Sequence, residues 1–395
     1  MTRPFEGIKI IDVTHVLAGP FAAYQLAVLG ADVIKVEHPD ECDQSRQTGA
    51  DRELNRRLMG TGFLTQGANK RSITLDLKQE RGREILKRLA RDADVLVENY
   101  RPGAFPALGI GYEDLKKINP TLIYCSMTAF GQDGPRGPQT AYDHAIQALS
   151  GVMAATGTPE VNPIKVGTPV IDYATGTMGA FAIASALFQR EKTGKGQYID
   201  SSMLDVALMM QASHITGYMY SGKAPKPSGN RHHQASSTLY DTKEGLLMLA
   251  ASNRRQHKRL FETLGRPEMG DKDYEYREEH FDDEAAVIQE ILASKTAEEW
   301  EDFLQSKHVP AGRVRRMAEA LADPQLETRK ILHKFADMPG ADRPVTVPMC
   351  AFKYAHGGPS LETPPPQFGE HNEEVLESLG YTKADIQALR DDGVI

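Results

Sequence analysis

Cysteine is scarce: Cys42, Cys125 and Cys350 are the three in 395 residues. They form no C-x-x-C pair and no metal-site spacing. That excludes a disulfide scaffold or a cysteine-held metal as the organising principle, and the expectation is free thiols in a reducing cytosol. Positive charge is short too. Lys and Arg number 46 against 54 Asp and Glu, a net charge of -8. Nucleic-acid binders that neutralise phosphates carry the opposite balance. The opening, MTRPFEGIKI, has no basic stretch leading into a long apolar core. The longest largely apolar run, residues 178–188, is too short to cross a bilayer and reads as a buried helix. The expectation is a cytoplasmic, ordinary globular protein that needs neither a membrane nor a nucleic acid, with length for two or three domains.

Several binding motifs are also missing. The first strand–helix turn reads Asp12-Val13-Thr14-His15-Val16-Leu17-Ala18-Gly19-Pro20 and holds no G-x-G-x-x-G. Gly194-Lys195 matches the end of a phosphate loop, but Gln189 stands where its first glycine belongs. There is no H-E-x-x-H and no G-x-S-x-G. His232-His233 has no nearby carboxylate and reads as a surface or substrate-contact pair, so no metal is expected.

What is there is strand–helix alternation. Apolar runs at 8–12, 31–37, 95–97 and 122–124 predict buried strands, with helices at 21–29 and 78–91 between them. This spacing predicts a parallel sheet covered on both faces, in an open doubly wound fold. A Gly/Pro loop follows at 131–138, then a helix over 175–190, a strand at 197–200 and one long apolar helix over 204–220. Residues 221–230 (SGKAPKPSGN) read as a linker. A second domain begins near Arg231, with a hairpin signal at 239–250 and helices near 255–264, 284–293 and 297–306.

One carboxylate stands in a distinctive setting: Gly167-Thr168-Pro169-Val170-Ile171-Asp172-Tyr173-Ala174-Thr175-Gly176. Asp172 follows an apolar stretch and precedes a small-residue helix. The helix's positive end favours the carboxylate form, and the apolar flank leaves it weakly solvated. Such a group can serve as a nucleophile; the same placement also suits a plain helix cap.

The chain resembles the class III CoA-transferase family, the group of formyl-CoA transferase and carnitine CoA-transferase, almost end to end. Its landmarks are Asp12-Val13-Thr14-His15 with Ala18-Gly19-Pro20, Gly30-Ala31-Asp32-Val33-Ile34-Lys35-Val36-Glu37, and Asn69-Lys70-Arg71-Ser72-Ile73-Thr74-Leu75-Asp76. Next come Val97-Glu98-Asn99-Tyr100-Arg101-Pro102-Gly103, Phe130-Gly131 with Gly134-Pro135, and Tyr142-Asp143 with Gln147-Ala148-Leu149-Ser150-Gly151. Arg190 with Thr193-Gly194-Lys195-Gly196-Gln197 and Glu319-Ala320-Leu321-Ala322-Asp323-Pro324 complete the series.

The resemblance implies a large Rossmann-like α/β domain built from residues 1–225 and 326–395, a small α+β domain at 226–325, and an interlocked homodimer. It puts the catalytic aspartate at Asp172. CoA would pass from an acyl-CoA donor to a carboxylic acid through an aspartyl anhydride and an aspartyl-CoA thioester. CoA would be a substrate, with no permanently bound cofactor. Matching positions imply CoA contacts at Val16, Ala18, Leu75, Asp76, Lys78, Asn99, Tyr100 and Tyr142.

There are departures. Leu17 replaces a glutamine of formyl-CoA transferase, and His38 and Ala107 replace arginines that hold CoA phosphates there. These changes argue against oxalate and formate as the natural pair. Arg231, His232 and His233, where the linker enters the small domain, are candidates to hold the second carboxylate of a short dicarboxylate such as succinate. The alternative is an α-methylacyl-CoA racemase-type epimerase. It needs a histidine where Tyr142 stands, and His144, two residues on, is expected to point elsewhere.

Overall fold

Six parallel strands form the central sheet of the computed structural model, which describes residues 2–395. They are β1 (Lys9–Val13), β2 (Asp32–Glu37), β3 (Lys70–Thr74), β4 (Val95–Glu98), β5 (Ile123–Thr128) and β6 (Gln197–Ser202). Their order is β3-β2-β1-β4-β5-β6. β1 pairs in parallel with both β2 and β4. The chain therefore winds outward first to one side and then to the other, and the reversal opens a crevice at the carboxyl ends of β1 and β4.

Burial on both faces explains why these segments are strands. All six residues of β5 are buried, as expected where helices cover a parallel sheet on both sides. On one face Ile10, Val33, Val97, Cys125 and Met127 meet Ala22 and Leu26 of the helix Ala18–Ala27, with Ile183 and Leu187 of the helix Val170–Thr193. On the other, Ile11, Leu96 and Tyr124 meet Ile85 and Leu86 of the helix Glu80–Arg91. Val375 and Leu389, from the last two helices, join that second layer. Gly176 lets the two helices of the first face approach closely, and Gly179 lets the second of them pack down on β5. A Cβ on Gly176 would lie 2.6 Å from Ala18 O, and one on Gly179 2.7 Å from Met127 Cε.

The chain divides into two compact units. The first runs to Val152 and continues with Lys165–Ala224 and Gln325–Ile395. The second comprises Met153–Ile164 and Pro225–Pro324. Residues 153–164, assigned above to the larger domain, thus group with the second unit, where Gly229 N–H donates to Gly157 O at 2.6 Å. That unit holds an antiparallel sheet of β7 (Leu239–Asp241), β8 (Leu246–Leu249) and β9 (Ala311–Arg313). Its core includes Leu247, Phe261, Ile288, Trp300 and Leu304. A final antiparallel pair, β10 (Leu332–Phe335) and β11 (Val345–Pro348), belongs to the first unit.

Two helices differ from expectation. Residues 204–220 form two helices, Met203–Met209 and Ala212–Ser221. Gln211 breaks them: its side-chain amide donates to Ala207 O at 3.2 Å, the carbonyl its own backbone N–H would have used. The run 178–188 is the middle of a 24-residue helix, Val170–Thr193. By length and composition alone that helix could cross a membrane. Its inner face packs on the sheet, but Met178, Phe181 and Phe188 are exposed rather than buried.

Candidate active site

The crevice predicted by the strand order is a cleft of about 500 Å³. Its floor comes from the turn after β1 (His15 to Ala18) and the turn after β4 (Asn99, Tyr100), with Thr128 and Ala129 ending β5 and Met203 following β6. Asn99 ties the two central turns together. Its Oδ1 accepts His15 N–H at 2.9 Å, and its Nδ2 donates to His15 O at 2.8 Å.

Val16 carries a φ of 71°, the left-handed region that strains a β-branched residue. Two buried side chains hold it there. Val16 N–H donates to Asp43 Oδ1 at 3.0 Å, and Gln66 Nε2 donates to Val16 O at 2.6 Å. Asp43 is anchored by Lys35 Nζ at 2.9 Å. Burial would raise the Asp43 carboxyl, but the Lys35 charge and the Val16 N–H override it and bring it to about 2. Lys35 also donates to Thr14 O, and Lys70 bridges Asp12 and Pro20 O. The strained turn thus rests on paired charges, each fully enclosed.

Asp172 enters the cleft from the first turn of the helix Val170–Thr193. It does not cap that helix. Asp143, from the helix Asp143–Leu149, does so: its Oδ2 accepts Ile171 N–H at 2.7 Å and Asp172 N–H at 3.1 Å. Its Oδ1 accepts from Gln147 at 2.6 Å. Asp172 is 9% exposed, and among the described residues no donor reaches its carboxyl. Burial, and then the negative Asp143 beside it, push it up to about 7. The ionised form expected from the helix end is therefore not the settled state at neutrality. The cap that sits on the helix is itself an anion, and it opposes a second negative charge.

A profile described as CoA-transferase family III matches residues 5–372. The chain belongs to this family. This class III CoA-transferase is 35% identical to succinyl-CoA:glutarate CoA-transferase of Mus musculus, covering 100% of this chain and 90% of the relative. It is 38% identical to acetyl-CoA:oxalate CoA-transferase of Acetobacter aceti, covering 87% and 89%. A crystal structure of a CAIB/BAIF family protein from Brucella suis superimposes with a TM-score of 0.81 at 33% identity, over 96% of this chain and 100% of that one.

In this CoA-transferase the cleft brings together Asp172, Val16, Ala18, Asn99, Tyr100 and Tyr142. It does not include Leu75, Asp76 or Lys78. Leu75 is packed into the core. Asp76 Oδ1 accepts Lys78 N–H at 2.9 Å and lies 3.4 Å from His38 Nε2. The Lys78 side chain is exposed. Asp76 and Lys78 thus stand with His38 at the ends of β2 and β3.

Arg231, His232 and His233 line a small pocket of the second unit, about 240 Å³, with Glu278 and Phe281. Arg231 already pairs with Asp282 at 3.1 Å and lies 3.8 Å over the Phe281 ring. His233 stands 4.0 Å from Glu278. Burial lowers the His232 imidazole, and His233 and Arg277 lower it further.

Three residues in or beside the cleft were given no part in the site by the sequence. Asp143 stood inside the Tyr142-Asp143 landmark without a role. His144 lines the cleft, contrary to the expectation that it points elsewhere, because it sits on the first turn of the helix that Tyr142 introduces. Thr175 also lines it, with a buried hydroxyl that has no partner among the described residues. Its signal was the spacing of three from Asp172, which puts both on one helix face.

Proposed function

We propose that the protein moves CoA from an acyl-CoA to a small carboxylic acid through covalent intermediates on Asp172. The observation that carries this reading is a carboxyl poised at about 7 with no hydrogen-bond donor, in the cleft at the sheet's reversal point. About half of it is ionised at neutrality, and a carboxylate of raised basicity and poor solvation is a stronger nucleophile than an ordinary aspartate.

Asp172 attacks the donor thioester carbonyl. The C–S bond breaks, CoA leaves as thiolate, and a mixed anhydride remains. The thiolate attacks the Asp172 carbonyl, releasing the donor's carboxylate and leaving an Asp172–CoA thioester. The acceptor carboxylate then attacks that thioester to give a second anhydride, with CoA again the leaving thiolate. The thiolate attacks the acceptor's acyl carbonyl, producing the new acyl-CoA and restoring Asp172. Each intermediate is destroyed by water, so burial of Asp172 serves the chemistry. The oxyanions need backbone N–H donors. The helix Ala18–Ala27, which starts in the cleft with no side-chain cap, is placed to offer them.

The donor and acceptor classes follow the names of the relatives, which include succinyl-CoA, acetyl-CoA, glutarate and oxalate. We assign a short dicarboxylate such as succinate as the acceptor. For Arg231 to hold its second carboxylate, the substrate would have to displace Asp282 from the guanidinium.

A homodimer is supported by apolar side chains left uncovered on successive helices: Phe181, Phe188, Met209, Met219 and Tyr220, the last 95% exposed. A monomer seldom leaves so many together.

His144 in the cleft favours one second reading, epimerisation at the carbon next to the thioester, with Asp172 as its partner acid. Incubation with a branched acyl-CoA and a labelled acid decides between them. Label entering the CoA thioester only when both substrates are present supports transfer. Epimerisation without an acceptor, and no label transfer, would overturn it.

A further inference from the structure

On the sheet face opposite the Asp172 helix, three polar side chains stand in one row. Glu98, Ser126 and Asp200 are direct neighbours across β4, β5 and β6. The residues one position earlier, Val97, Cys125 and Ile199, belong to the layer beneath the Asp172 helix, so the row faces away from it. Hydrogen bonds tie this row to the segments that follow β4 and β5. Glu98 Oε2 accepts Tyr100 N–H at 2.8 Å, and Ser126 is the direct neighbour of Glu98 on β5. Gln132 Nε2 donates to Ser126 Oγ at 2.7 Å, while Gln132 N–H donates to Asp200 Oδ2 at 2.9 Å.

Glu98 and Ser126 are buried. A buried carboxyl is costly where an apolar side chain would fill the space, and this one touches nothing in the chemistry of Asp172. Both ends of the row join segments that go on to line the cleft. Tyr100 follows β4 beside Asn99, and Gln132 lies in the loop after β5, whose later residues Thr140 and Ala141 line the cleft.

We propose that Glu98 is a positioning residue for the acyl-CoA site. It holds the turn of Asn99 and Tyr100 and, through Ser126 and Gln132, the loop after β5 in the arrangement that accepts the thioester. The proposal rests on the reading of the cleft as the acyl-CoA site. It makes the back face of the sheet part of substrate recognition, which no contact inside the cleft would reveal.

The test compares steady-state constants for four variants of the full-length enzyme. Glu98→Gln keeps an oxygen for Tyr100 N–H; Glu98→Leu removes it. Gln132→Ala loosens the half-buried far end of the row without disturbing the core. Asn99→Ala cuts the clasp inside the cleft and serves as the reference. The expected result for Glu98→Leu is a KM for acyl-CoA raised about tenfold, with kcat and the acceptor's KM little changed. Gln132→Ala should move the acyl-CoA KM in the same direction, and Glu98→Gln should restore most of the loss. If Asn99→Ala raises that KM while folded Glu98→Leu and Gln132→Ala leave it alone, the positioning role is overturned and the cleft assignment stands. If Glu98→Gln is as impaired as Glu98→Leu, the hydrogen bond to Tyr100 is not the means, and the proposal fails. If none of the variants, Asn99→Ala included, alters the acyl-CoA KM, the cleft assignment itself falls.

Discussion

At Asp172 two demands conflict. The proposed chemistry uses a poorly solvated carboxylate that attacks a thioester; stability favours that charge in water. The structure places the carboxyl beside Asp143, which accepts from two helix N–H groups and Gln147, while Asp172 has no donor and is pushed up by burial and by that neighbour. The consequence is a definite pH dependence. An unfolded aspartate loses its proton near about 3.9, whereas the folded one does so at about 7. Between those values the folded state binds a proton that the unfolded chain has released. The contribution of Asp172 to stability therefore falls as pH rises through that window, and the full penalty remains above it. Asp172→Asn removes the titration. The variant should be more stable than the wild type at pH 8, with an advantage smaller at pH 5 by on the order of 2 kcal/mol. Urea unfolding of both proteins at the two pH values measures this, and an equal gap at both would contradict it.

Elements whose burial is apolar were legible in the sequence, and those stabilised by buried polar groups were not. β1, β2, β4 and β5 show as short apolar runs because helices cover both faces. β3 reads Lys70-Arg71-Ser72-Ile73-Thr74 and gave no such run. Its buried Lys70 and Ser72 are satisfied by Asp12, Pro20 O and Glu37, partners that lie far away in sequence. The same reason hid the helix break at Gln211, a hydrogen bond rather than a Gly or Pro signal. At the site, Asp172 was visible through its apolar flank and small-residue helix. The cap from Asp143 was not, because it reaches across 29 residues. The residues expected to surround CoA divided along the same line. Those on the turns beside β1 and β4 converge, as strand order requires, while Leu75, Asp76 and Lys78 follow the outermost strand β3 and stand apart.

At the scale of the whole molecule, the proposed homodimer would cover apolar side chains that helices of the first unit leave exposed. If the protomers interlock, the dimer parts only by opening or unfolding, so dilution alone leaves it intact. Sedimentation under native conditions should give the dimer mass at every accessible concentration; a monomer that grows in on dilution would contradict interlocking. All of these features, the paired charges under Val16, the Asn99 clasp and the desolvated helix end, converge on one carboxyl group. The most direct measurement of that convergence is peptide mass analysis of enzyme quenched after exposure to acyl-CoA without acceptor. The account predicts a CoA or acyl adduct on the peptide that holds Asp172, reversed by adding the acceptor acid and absent from Asp172→Asn. Undiminished CoA transfer by folded Asp172→Asn, or an adduct on another residue, would contradict it.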